Sequence, residues 1–167
     1  MSTPVPQQRW LRGRQKSYID MNLVEHKKAR FDYEILEEYE AGIELLGLEV
    51  KSLRAGHAKL EGAHIVVRGG EAYVVGMVVS PYQPANTPPE YDPNRSRRLL
   101  LTKKEIGELA AHEGQKGLTL VPISVYNKSG KLKVRVAVAR GKKKYDKRAT
   151  LKKRDTDRDM RRTLKNQ

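Results

Sequence analysis

Between Asp32 and Arg140 the apolar positions recur mostly at every second residue. Tyr33 and Ile35, then across an acidic interval Tyr39, Ala41, Ile43 and Leu45, follow the alternation of half-buried strands. Gly47 breaks this pattern, and Leu48, Val50 and Leu53, with Lys51 and Arg54 among them, predict one or two helical turns closed by Gly56. Residues 63–68 and 72–80 read as strands joined at Gly69 and Gly70, whose tolerance of positive φ suits a tight hairpin. Five prolines in residues 81–94 remove backbone donors and fix φ, which predicts a long loop. After a short apolar run at Leu99 to Leu101, Thr102 and Glu105 have the spacing of a capping box. Ile106, Leu109 and Ala110 then share one face of a helix that ends at Gly114 or Gly117. Residues 118–126 and 132–140 are two more strands around a turn at 127–130. In the second, Leu132, Val134, Val136 and Val138 face inward and Lys133, Arg135 and Ala137 face out.

This order lacks the repeated strand-helix-strand crossover that a parallel sheet demands. The fold class it predicts is mainly β: an OB-like antiparallel barrel of five to six strands with two or three short helices. Barrels of this kind close a small sheet around one core and bind single-stranded or irregular RNA on their surface.

Charge changes the picture when it is divided along the chain. The 167 residues hold 34 Lys and Arg against 20 Asp and Glu, a net charge of +14. Residues 1–30 contain 7 basic and 2 acidic groups, residues 31–140 contain 15 and 14, and residues 141–167 contain 12 and 4. A nearly neutral centre between two basic ends is the layout of a folded domain whose extensions meet a polyanion. Nucleic acid fits this better than an anionic membrane, because the last segment offers only Ala149, Leu151, Met160 and Leu164 as an apolar face. No run approaches the roughly 20 apolar residues of a spanning helix. The absence of cysteine excludes disulfides, thiolate metal sites and a cysteine nucleophile, and suits a cytoplasmic location.

Three segments follow: a basic flexible arm at 1–25, the barrel at 26–140 and a basic tail at 141–167. The arm lacks the apolar core of a secretory signal. The tail's many charges cannot offset an ordering cost of about 1–2 kcal/mol per residue, so alone it is expected to be disordered. Its cations at Lys147, Arg154, Arg158, Arg161 and Lys165 nevertheless keep helical spacing, which predicts a helix on a partner.

Candidate chemistry is that of binding. His26, His57, His64 and His112 share no metal-ligand spacing, so neither a metal nor another cofactor is expected. Glu34, Glu37, Glu38, Glu40 and Glu44 are dense enough to raise general acid–base chemistry, yet along a strand such a set lines a solvated face. No phosphate loop, nucleophile elbow or dinucleotide fingerprint occurs, and no enzyme activity is expected. Glu40 stands apart, since a carboxylate in a basic protein accepts hydrogen bonds from base edges or riboses that phosphate contacts cannot read. The run from Arg140 to Arg148 joins a glycine, at least six cations and Tyr145, which is able to stack on a base.

Several segments together carry a resemblance: Lys27-Lys-Ala-Arg-Phe-Asp-Tyr33, Glu40-Ala-Gly42, Gly47-Leu-Glu-Val-Lys-Ser-Leu-Arg-Ala-Gly56, Arg97-Arg-Leu-Leu-Leu101, Lys116-Gly-Leu-Thr-Leu-Val-Pro122 and Ala139-Arg-Gly-Lys-Lys-Lys-Tyr-Asp-Lys-Arg148. On these the chain resembles the SsrA-binding proteins, the SmpB family, from about residue 23 to the end of the tail. The resemblance implies a non-enzymatic protein that grips the tRNA-like domain of transfer-messenger RNA and helps bring it to ribosomes stalled without a stop codon. It implies a tail that folds as a helix in the messenger channel near the small-subunit decoding centre. It also implies elongation factor Tu with GTP as an indirect partner, and the protein is expected to act as a monomer without a membrane.

By position, Glu40 and Leu100 resemble the family's RNA-contacting glutamate and leucine, and Lys27, Lys142, Lys143 and Lys144 its phosphate contacts. Lys28 and Arg30 extend that basic stretch. His26 stands where many members have asparagine, and histidine is able to donate to RNA or stack on it. Asp146, Lys147 and Arg148 match the tail motif used at the ribosome, with Arg154 and Arg158 further along it. Two rival readings of the basic ends are an RNA-processing enzyme on an OB barrel and a general RNA-coating or ribosomal structural protein.

Overall fold

A computed structural model describes residues 21–165. It contains nine strands: β1 (Met21–Glu25), β2 (Tyr33–Ile43), β3 (Ala58–Lys59), β4 (His64–Arg68), β5 (Glu71–Val75), β6 (Val78–Val79), β7 (Arg97–Leu100), β8 (Leu118–Lys128) and β9 (Lys131–Gly141). Four helices accompany them: α1 (Ala29–Asp32), α2 (Gly47–Arg54), α3 (Lys103–Glu113) and α4 (Lys144–Lys165). Seven strands form one antiparallel sheet in the order β1-β8-β9-β2-β7-β5-β4, and β3 pairs with β6 separately. β4 also lies against β8, so the sheet curls around a core that includes Leu53, Leu60, Met77, Leu109, Leu120, Val134, Val136 and Val138.

The mainly β class holds, with more strands than the five to six expected. β1 supplies one of the extra strands: residues 21–25 pair with β8 rather than extending the arm, because Leu23 and Val24 pack on the core. Residues 1–20 of the expected arm lie outside the described residues. The strand expected over 72–80 is divided at Gly76 (φ +78), where an added Cβ would stand 3.1 Å from the Gly62 carbonyl oxygen. The acidic interval, by contrast, does not split β2. That strand runs unbroken along β9, and a register shift between Ile35 and Glu37 absorbs one extra residue.

Local chemistry accounts for the turns. Ser129 (φ 51) and Gly130 (φ 78) form the two-residue positive-φ turn that suits a twisted hairpin, with Lys128 opposite Lys131. The Thr102 and Glu105 side chains cap α3 reciprocally, as expected. Ala137 points away from the core yet is fully buried, against its predicted exposure. It joins Ala29, Val121, Ile123 and Ala139 in a second small cluster to which α1 contributes.

A buried ion pair ties α2 to β7. Glu49 and Arg97 both have fully buried side chains, with Arg97 Nη2 2.7 Å from Glu49 Oε1. All five guanidinium N–H groups are used: Nε and Nη2 donate to Glu49, Nη1 to the carbonyls of Met77 and Arg95, and Nη2 also to that of Pro93. Burial pushes the Glu49 carboxyl up, but hydrogen bonds from Arg95, the Leu46 N–H and Arg97 overcome this and hold it below the usual carboxylate range. The proline-rich loop is strapped to the same site, since Tyr91 Oη donates to the Val79 carbonyl at 2.8 Å and Pro93 accepts from Val79 N at 3.0 Å.

Candidate nucleic-acid interface

Two surface regions hold the expected RNA contacts, one toward each end of β2. At the first, Glu40 and Leu100 line one open depression with Arg98, Lys103 and Glu105. Glu40 sits opposite Arg135 of β9, and its carboxylate accepts from Tyr126 Oη and from Lys128 Nζ at 2.9 and 3.0 Å. The hydrogen bonds from Lys128 and Tyr126 lower its pKa. Its side chain stays 39% exposed, and a carboxylate with about four acceptor directions keeps capacity for a partner beyond these bonds. The Arg135 guanidinium lies over the Tyr126 ring at 5.4 Å and backs this arrangement.

Leu100 is 52% exposed although it belongs to a sheet strand. It forms a ridge, because a second depression on its other side is lined by Gly42, Leu45, Arg54, Lys131 and Lys133. A buried leucine would be simply core. An exposed one flanked by cations offers an apolar contact to a ribose or base between phosphate-binding groups.

The second region lies about 23 Å away, seven residues back along β2 at roughly 3.3 Å each. Here Lys142 N donates to the Asp32 carbonyl at 2.9 Å and Lys142 Nζ to the Arg30 carbonyl at 3.0 Å, which brings the residues around α1 beside those leaving β9. Lys27, Lys28, Arg30, Lys143 and Lys144 are exposed there. Arg30 pairs with Glu38 at 3.4 Å, a surface contact that a phosphate can replace at little cost. His26 departs from expectation: it is only 8% exposed, and its backbone N–H donates to the Ile123 carbonyl. Its ring is therefore closed to stacking, because the end of β1 packs it onto β8.

The tail is helical in α4. Asp146 Oδ2 accepts the Lys143 N–H at 3.3 Å, in the manner of a helix cap, and Lys147 Nζ pairs with Asp32 of α1 at 2.8 Å. Lys147 Nζ and the Arg154 guanidinium lie 5.8 and 5.6 Å from the Phe31 ring centroid. Arg148 and Arg158 are exposed, as is Tyr145, at 80%.

The family model for SmpB protein matches residues 23–166. The chain belongs to the SmpB family. It is 49% identical over 143 residues to the SsrA-binding protein of Gloeothece citriformis, covering 86% of this chain and 92% of that protein. It is 48% identical over 150 residues to the SsrA-binding protein of Clostridium tetani, covering 90% and 96%. A solved structure titled "tmRNA-SmpB: a journey to the center of the bacterial ribosome" is similar with a TM-score of 0.62 and 47% identity, over 72% of this chain and 84% of that one.

For an SmpB-family chain, the structure joins Glu40 to Leu100 and Arg30 to Lys142, but it separates these pairs into two regions. Sequence reasoning gave no part to Arg54, Lys131 and Lys133, which flank Leu100. The alternation of the last hairpin already put Lys133 outside the barrel, and this was the available signal. Nothing local placed Arg54 beside it, because their approach depends on how α2 packs across the barrel. Among the described residues, no group of His, Asp or Glu could hold a metal ion, and no helix is long and apolar enough to cross a membrane.

Proposed function

We propose that this chain binds the tRNA-like domain of transfer-messenger RNA and delivers it to stalled ribosomes for trans-translation, so that the ribosome is released and the nascent chain is tagged for degradation. The observation that carries the reading is family membership over residues 23–166, with Glu40 and Leu100 meeting in one surface depression. The protein acts by binding rather than catalysis, as a monomer in the cytoplasm, and elongation factor Tu with GTP brings the RNA complex in.

The two regions divide the work. Lys27, Lys28, Arg30, Lys142, Lys143 and Lys144 meet phosphates and supply salt-sensitive affinity, about one logarithmic unit of slope per phosphate neutralised. Glu40 accepts from a base edge or ribose and Leu100 packs against the same nucleotides, which supplies discrimination. Asp146, Lys147, Arg148, Arg154 and Arg158 act at the decoding centre and in the messenger channel. The cap that Asp146 gives to α4 supports a tail that enters the channel as a helix.

The test is reconstituted tagging on ribosomes stalled on a message without a stop codon. Tagging that depends on the added chain is expected. Ribosomes that stay stalled, with a correctly folded chain and charged transfer-messenger RNA present, would overturn the reading.

A further inference from the structure

On the far side of Arg54 from the Leu100 ridge is an aromatic and basic patch. The His57 and Tyr82 rings lie 6.2 Å apart with a 30° tilt, and Tyr82 is 45% exposed. Lys51, Arg54 and Ala55 line the same depression as Tyr82. Lys51 and Arg54 are three residues apart on α2 and share one exposed face.

The patch is rigidly built although its residues come from three segments. Ser52 Oγ donates to the Ser80 carbonyl at 2.6 Å, His57 N to the Ser52 carbonyl at 2.9 Å and Ser80 N to the His57 carbonyl at 3.0 Å. These bonds lock the end of α2, the start of β3 and the exit of β6 together, so the backbone that carries the rings and cations is already ordered and only their side chains remain to be fixed on binding. Exposed ring faces beside cations are the elements of a nucleotide-stacking platform, in which the ring takes a base and the cations take its phosphates. Arg54 also lines the depression beside Gly42 and Leu100, so the patch continues the surface that holds Glu40 and Leu100.

We propose that Tyr82, Lys51 and Arg54, with His57 supporting the tyrosine ring, form an additional RNA subsite that takes one unpaired nucleotide of the same bound RNA. The base stacks on Tyr82 and the adjoining phosphates meet Lys51 and Arg54. The subsite rests on the RNA-binding reading above.

The test is a titration of the full chain with the tRNA-like domain at several salt concentrations, with Glu40→Ala as the reference variant. Tyr82→Ala is expected to weaken binding roughly 5- to 100-fold, the range of a lost base stack, and Tyr82→Phe to retain it. Lys51→Ala with Arg54→Ala is expected to reduce the salt slope by about one to two logarithmic units. A Tyr82→Trp variant in a Trp10→Phe background gives a direct reading, since indole emission should be quenched by the RNA. Wild-type affinity in Tyr82→Ala, an equal loss in Tyr82→Phe, or emission unaffected by saturating RNA would overturn the subsite. If Glu40→Ala still weakens binding in that case, the broader reading stands; unchanged binding in Glu40→Ala as well would remove both.

Discussion

Leu100 of β7 lies directly across Gly42 of β2, so close that a Cβ on the glycine would stand 3.1 Å from the leucine Cβ and 3.4 Å from its Cδ1. The glycine is extended backbone without positive φ; it is there for closeness rather than for conformational freedom. Its missing side chain lets the exposed leucine settle between two depressions that hold Glu40 on one side and Arg54 and Lys133 on the other.

Gly42→Ala should therefore displace Leu100 by a few tenths of an ångström. Alanine is the better strand residue by about 0.5–1 kcal/mol, which offsets the crowding, so the melting temperature should move by only a few degrees. Binding of the tRNA-like domain should nonetheless weaken several-fold. In a double-mutant cycle with Leu100→Ala the two losses should be less than additive, because both act on the same contact.

Glu49→Gln should cost about 3–5 kcal/mol in urea unfolding, since it leaves the Arg97 charge buried without its partner. Glu44→Gln, whose pairing with Arg98 is 59% exposed on the glutamate side, should change stability by less than about 1 kcal/mol. The pH dependence has a definite sign. The folded Glu49 carboxyl is depressed by Arg95, the Leu46 N–H and Arg97 against the effect of burial, so its stabilising contribution is complete above the unfolded value near 4.3 and is lost as pH falls through the folded one. Unfolding curves between neutral pH and pH 3 should thus show a flatter acid limb for Glu49→Gln than for the wild type.

The α1–α4 contact predicts a separation of functions. Replacing Asp146, Lys147 and Arg148 together by alanine removes the cap and the Asp32 partner without touching Glu40 or Leu100. Affinity for the free RNA should stay within about threefold, while tagging on stalled ribosomes should be lost. Phe31→Ala should speed hydrogen exchange in the first half of α4 about 5- to 30-fold, as expected for losing two cation–π contacts of about 0.5–1 kcal/mol each.

Much of this was legible from residue patterns. The Gly69-Gly70 hairpin, the Thr102 cap, the last hairpin and α2 all follow from local rules, and the structure places each where those rules do. The chemistry of a lone carboxylate singled out Glu40 and the family resemblance added Leu100, although only the register of β2 with β7 brings them into one depression. What local patterns hid is nonlocal. Arg97 reads as one more surface cation in a basic run, and only the convergence of α2, β7 and the proline-rich loop makes it a fully buried side chain with every guanidinium N–H bonded. Ala137 reads as outward-facing because alternation knows nothing of α1 covering that face. His26 stands next to an exposed basic pair in the sequence, and only its backbone bond to Ile123 of β8 reveals that it is buried.

The central claim is selective recognition of a tRNA-like RNA through Glu40 and Leu100, and a competition titration tests it most directly. The full-length chain is bound to the tRNA-like domain at moderate salt and challenged with excess bulk tRNA, then the experiment is repeated with Glu40→Ala. The account predicts competitor-resistant binding in the wild type and a larger loss for the tRNA-like domain than for bulk tRNA in the variant. Wild-type binding that disappears into the competitor, or an equal loss for both RNAs in Glu40→Ala, would contradict it.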